Sequence, residues 1–189
     1  MSRTPALLRF SLPLILIGIA WIQELVDQFF FSGNWNLLMG NGYPWWGLLI
    51  APFSHSGFVH LIPNTLLFLP LSWLVLTKGL QDYISVWTCV LFASFFETLL
   101  WSTPSHGISG VIFGLLGYLV IIGFLEKRFL AIILSFVCFW LYRHYLPSLL
   151  PWNVSEGVSW IGHFGGFLGG IFGAFGIYRE PTKKYKQGN

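Results

Sequence analysis

A glycine-flanked serine, two histidines and an asparagine are the residues of this chain whose types and spacing could do chemistry. Ser109 lies in Gly107-Ile-Ser-Gly110, and His163 lies in the run Gly162-His-Phe-Gly-Gly-Phe-Leu-Gly-Gly-Ile-Phe-Gly173. His60 and Asn64 are spaced i, i+4, which puts them on one face of a helix. A hydroxyl in hydrogen-bond reach of an imidazole is a nucleophile with its general base. Ser109 opens an apolar run just after a glycine turn, so free backbone N–H groups lie near it, and His60 and Asn64 could add side-chain donors toward a developing oxyanion. One such donor is worth about 3–4 kcal/mol in a transition state. Phe113, one turn beyond Ser109 on nearly the same face, could support the His163 ring. The chemistry these pieces suit is acyl transfer, and it needs no acidic third member, since Ser–His dyads exist in principle.

The elements that must hold them are membrane helices. Of 189 residues, 55% are hydrophobic, 19% aromatic and only 9% charged, where a water-facing domain carries charge on about a quarter. The net charge of +3 owes much to a short basic tail, Arg179, Lys183, Lys184 and Lys186, suited to anionic lipid head groups, and nucleic acid is not an expected partner. A hydrocarbon core of about 30 Å takes about 20 helical residues. Apolar runs of that kind predict six spans, near residues 10–26, 58–77, 83–101, 109–124, 129–146 and 158–178. The expected fold is an all-α, six-transmembrane-helix bundle forming a single domain over residues 1–189. The long remaining segment, 27–57, has no Lys or Arg and is rich in Gly, Asn and Trp, which suits a membrane interface.

Arg3, Arg9, Lys78, Lys127, Arg128 and the basic tail fall on one side of these spans, leaving Arg143 near the other, so both termini are expected to be cytoplasmic. The first span reads as an uncleaved anchor, because no small-residue cleavage site follows it. Spans two, four and six then start on the outer side and carry their polar groups in the outer third of the bilayer. Glycine stripes at 162/166/170 and 165/169/173, with Gly110, Gly114 and Gly117 in span four, allow close helix approach. If the His163 face packs on span four, Ser109 and His163 meet.

Plainer readings exist for each piece. A serine near a helix start is usually an N-cap, glycine stripes are usually packing, and the five histidines could line a proton or metal path. No His-Glu-x-x-His motif is present and the only aspartates are Asp27 and Asp82, which disfavours metalloprotease and aspartyl mechanisms; no metal or cofactor is expected. Glu24 and Glu97 are expected to bond neighbouring helices or backbone. Cys89 and Cys138 sit inside apolar runs and suggest no disulfide framework.

The combination of His60-x-x-x-Asn64, Gly107-Ile-Ser109-Gly110 and His163-x-x-Gly166-x-x-x-Gly170, in that order and at one depth, resembles the rhomboid family of intramembrane serine proteases. The resemblance covers about residues 10–180 and looks like the minimal six-helix form. It implies an endopeptidase that cuts transmembrane segments of membrane-protein substrates near the outer face. Ser109 would be the nucleophile and His163 the base, with the Ser109 N–H, His60 and Asn64 as oxyanion hole. His55 matches a position that braces the first external loop, and Phe113 an aromatic position beneath the catalytic histidine. The family's Trp-Arg pair in that loop is absent here; Trp35-Asn36 and Trp45-Trp46 are the nearest candidates. His106 would shape specificity or cap the helix. A prokaryotic plasma membrane is the expected location. The alternatives are a catalytically silent rhomboid-like binder of transmembrane helices, which the intact Ser109 and His163 argue against, and a small channel, which has no need of a Gly-x-Ser-Gly element facing His163.

Overall fold

The structure, a computed structural model, describes residues 6–100, 104–154 and 158–177. Trp101, Tyr178, Arg3 and the basic tail lie outside the described residues. Among the described residues the chain forms seven α-helices and no strand: α1 (Ala6–Phe30), the short α2 (Gly47–Ile50), α3 (Phe58–Lys78), α4 (Leu80–Leu100), α5 (Ser109–Glu126), α6 (Phe129–Tyr142) and α7 (Trp160–Ile177). Helices are the natural outcome for such apolar runs, because lipid offers no partner to an unpaired backbone N–H or C=O. Five of them, α1, α3, α4, α5 and α7, are long and apolar enough to cross a bilayer. With large side chains such as Leu66, Phe92, Leu130 and Phe172 exposed, the bundle turns an apolar outer face to lipid.

The sixth helix is present and shorter than the expected span. A span over 129–146 was expected, yet α6 ends at Tyr142 after 14 residues, about 21 Å at 1.5 Å per residue and short of the hydrocarbon thickness. Two local causes act together. The Arg143 guanidinium folds back over the Trp140 ring, 3.8 Å from its centroid, and donates to the Trp140 carbonyl, ending the ladder. Pro147, which has no N–H to give the Arg143 carbonyl, then keeps the α-helix from resuming, and the chain goes on as the 3-10 turn Leu146–Leu149.

Helix α5 is the centre of the bundle; residues 111–119 are all buried. Its largest interface is with α7, and the two glycine stripes of α7 face different partners. A Cβ on Gly166 would strike the Gly110 carbonyl and one on Gly170 the Gly114 carbonyl, so these two glycines of the 162/166/170 stripe are the α5 contact, while a Cβ on Gly162 would face the Glu97 carboxylate. The other stripe lies on α4: Gly165 faces Ala93, and a Cβ on Gly169 would come 2.9 Å from the Cys89 carbonyl oxygen. Helix α6 is tied to α5 by Ser135, whose Oγ donates to Leu119 O at 2.6 Å and accepts from Gly123 N–H at 3.2 Å. At the end of the bundle remote from Ser109, Lys78 pairs with Glu126 at 2.9 Å and Tyr118 donates to Asp82.

Segment 31–57 folds against the helix ends without a Trp-Arg pair. Asp27 Oδ1 accepts the Trp35 N–H at 2.6 Å, Gln23 donates to the Trp35 carbonyl at 3.0 Å, and Ser54 Oγ accepts from Leu37 N–H at 3.0 Å. Met39 and Ser105 exchange backbone bonds of 3.0 and 2.9 Å, coupling this segment to the stretch just before Ser109.

Candidate active site

Ser109 is the first residue of α5 and its hydroxyl does not cap the helix; the N-cap position is Ile108. Its oxygen instead lies 2.9 Å from His163 Nε2, within hydrogen-bonding distance. The turn that delivers it depends on Gly107, whose φ of +102° lies in the left-handed region and whose missing Cβ leaves His60 Cε1 at 3.4 Å. Gly107 N–H donates to the Ala51 carbonyl at 2.9 Å, and Ile108 N–H points to His55 Nε2 at 3.5 Å. The loop before Ser109 is therefore held by residues 51–55 on the far side of the site.

His163 is 7% exposed and stands one turn into α7. Ser159 caps that helix: its Oγ accepts from Gly162 N–H at 3.1 Å and donates to the buried Glu97 carboxylate at 2.6 Å. Glu97 also accepts from Ser105 Oγ at 3.2 Å, so one carboxylate joins α4, the segment before Ser109 and the start of α7. Phe113 lies under the imidazole with ring centroids 4.4 Å apart. Gly110 receives the Gly162 carbonyl at 3.3 Å from where a Cβ would be, the close approach that sets Ser109 beside His163.

His60, Asn64, Ser109, Phe113 and His163 line one cavity of about 240 Å³ between α3 and α6, whose other walls include Pro63, Leu67, Tyr142 and Ser148. Asn64 is 6% exposed, and its Nδ2 has no hydrogen-bond partner. A buried amide donor without a partner costs stability, so its position beside Ser109 calls for a reason. The His60 ring meets that of His55 edge-on, with centroids 5.3 Å apart. On the other side of Ser109 a pocket of about 30 Å³, walled partly by Ser94, Ser105, His106 and Ser159, is large enough for a water molecule.

Burial, reinforced by the neighbouring His60 and His106, pushes His55 down to about 3, and burial with His60 pushes His106 down to about 4. Both are neutral imidazoles at ordinary pH, and His55 can therefore accept the Ile108 N–H. His106 Nε2 is 2.7 Å from Ser56 Oγ. Although His55, His60 and His106 are near one another, no group of three His, Cys, Asp or Glu among the described residues is placed to hold a metal.

All the residues singled out from the sequence, Ser109, His163, His60, Asn64, Gly107, Gly110, Phe113 and His55, are gathered around Ser109. The sequence reading missed Ser148, whose carbonyl and hydroxyl oxygens lie 3.3 and 3.2 Å from His163 Nδ1, and the Ser105 and Ser159 hydroxyls on Glu97. No spacing signal marks Ser148, which comes to the imidazole only through the fold of the α6–α7 connection. Glu24, fully buried, accepts from Gln28 at 2.8 Å.

The family model described as Rhomboid domain matches residues 43–180. An uncharacterized protein of Mycobacterium leprae (strain TN) is 30% identical over 188 residues, covering 90% of this chain and 72% of its own. An uncharacterized protein of Mycobacterium tuberculosis (strain ATCC 25618 / H37Rv) is 28% identical over 186 residues, covering 90% of this chain and 75% of its own.

Proposed function

Since the chain belongs to the rhomboid family, we propose that this multi-pass integral membrane protein is a serine endopeptidase that cuts transmembrane segments of other membrane proteins. The observation that carries the reading is the 2.9 Å contact of Ser109 Oγ with His163 Nε2 in the wall of a cavity that the unpartnered Asn64 amide also lines. His163 Nε2 takes the hydroxyl proton as Oγ attacks the scissile carbonyl carbon, and then returns it to the leaving amine. The oxyanion that forms is met by the Ser109 N–H, which has no carbonyl partner in the first turn of α5, and by His60 and Asn64. The resulting acyl-enzyme is hydrolysed by water, for which the 30 Å³ pocket beside Ser109 is a holding place.

A substrate helix reaches Ser109 through the cavity between α3 and α6, bounded by Pro63 and Leu67 on one side and Tyr142 on the other. Lys78, Lys127 and Arg128 lie at the opposite end of the bundle from Ser109. By the retention of cations on the cytoplasmic side, the site faces outward, and the mycobacterial relatives favour a prokaryotic plasma membrane.

The direct experiment is labelling of the detergent-solubilised protein with a fluorescent fluorophosphonate, alongside Ser109→Ala and His163→Ala. Only an activated serine reacts quickly, so label is expected in the wild type and in neither variant. Label that persists in folded Ser109→Ala protein refutes the assignment.

A further inference from the structure

We propose that Ser148 is a positioning residue that fixes the tautomer and orientation of His163; the proposal rests on the protease reading above. The Ser148 hydroxyl has a single proton, and it goes to the Tyr145 carbonyl at 2.7 Å. Toward His163 Nδ1, 3.2 Å from the Ser148 hydroxyl oxygen and 3.3 Å from its carbonyl oxygen, Ser148 therefore offers only acceptors. A ring with a bare Nδ1 would set its lone pair against both. The compatible neutral ring carries its proton on Nδ1, which leaves the Nε2 lone pair aimed at Ser109 Oγ, 2.9 Å away. This is the tautomer a general base requires, and in triads a carboxylate selects it. Here two uncharged oxygens of one residue do so.

The contact also strengthens during reaction. When Nε2 takes the Ser109 proton the ring becomes a cation, and the Nδ1–H bonds to Ser148 become charge-assisted. An interaction that is stronger with the charged ring acts on turnover more than on substrate binding. Ser148 belongs to the 3-10 turn Leu146–Leu149 and lines the same cavity as Asn64 and His163. The segment that walls the cavity thus also holds the base, and Phe113, whose ring packs against the imidazole at a tilt of 33°, cannot substitute for it because it offers no acceptor to Nδ1.

The test compares Ser148→Ala and Ser148→Thr with the wild-type full chain in detergent, by the fluorophosphonate labelling rate and by kcat and KM on a single-span reporter protein in the same micelles. Ser148→Ala keeps the carbonyl and loses the hydroxyl, so labelling and kcat should each fall about tenfold, with KM and Tm little changed. Ser148→Thr, which retains the hydroxyl, should restore most of the loss. Wild-type rates in Ser148→Ala, a loss confined to KM, or a loss that threonine does not repair would each overturn the proposal while leaving the protease reading intact. A wild-type protein that neither labels nor cleaves would refute the protease reading, and this proposal with it.

Discussion

Replacing Gly166 by alanine tests whether the approach of α7 to α5 is what creates the serine–imidazole contact. A Cβ at residue 166 would lie 2.8 Å from the Gly110 carbonyl carbon and 3.1 Å from its Cα, with the carbonyl oxygen closer still. Ordinary contact begins at 3.4 Å, and the obstacle is backbone, which cannot rotate out of the way. The carbonyl carbon alone requires the helices to part by the difference between 2.8 and 3.4 Å, about 0.6 Å, and the nearer carbonyl oxygen requires more. His163, one turn earlier on the same face, moves with α7, which stretches its 2.9 Å contact with Ser109 past about 3.5 Å, too long for a good hydrogen bond. Overpacking of this kind costs about 1–3 kcal/mol of stability, and a misplacement of about 1 Å at a reacting centre costs about 10²-fold in rate. Gly166→Ala is thus expected to label with fluorophosphonate at least about tenfold more slowly, and to melt earlier, than the wild type. The control is its neighbour: a Cβ on Gly165 meets only Ala93, at 3.7 Å. Gly165→Ala should leave labelling unchanged and is neutral or stabilising by up to about 1 kcal/mol through helix propensity. Equal labelling rates for Gly166→Ala and Gly165→Ala would refute the argument.

Asn64→Ala is expected to lower kcat about 10²-fold with little change in KM, because its amide meets charge only in the transition state. The same variant should lose no stability from hydrogen bonding, since Nδ2 has no partner to forfeit; reporter kinetics together with a thermal melt check both halves. The depressed His55 imidazole makes stability pH-dependent. Between its ordinary 6.5 and its folded value of about 3, the unfolded chain binds a proton that the folded chain refuses. Stability is therefore fully present above about 6.5 and is lost on acidification, by about 1.4 kcal/mol per pH unit from this group. Melting temperatures from pH 8 to pH 4 should fall less steeply for His55→Gln, and parallel slopes would count against the assignment.

Which residues could react was legible in the chain, because a membrane sequence exposes its exceptions. In runs of Leu, Ile and Phe each polar side chain is costly, so His60, Asn64, Ser109 and His163 stand out by type and depth. The start of α5 was legible too, from the glycine turn before Ile108, a position whose φ of +102° only glycine adopts readily. The length of α6 was harder to read, because hydropathy runs on past Tyr142, while the helix is ended by the Arg143 side chain and by Pro147.

Tertiary structure decided what spacing along one helix cannot contain. The two glycine stripes of α7 look equivalent in sequence, and only packing gave one to α5 and the other to α4. The anchoring of segment 31–57 through Asp27, Gln23 and Ser54 joins residues with no common periodicity. The same holds for Glu97 with Ser105 and Ser159, and for Ser148 at the imidazole. Composition and period determine which elements form and which face each presents, since those are local consequences of burial and backbone pairing. Which atoms lie within 3 Å of one another depends on how several helices settle together, a property of the whole packed bundle.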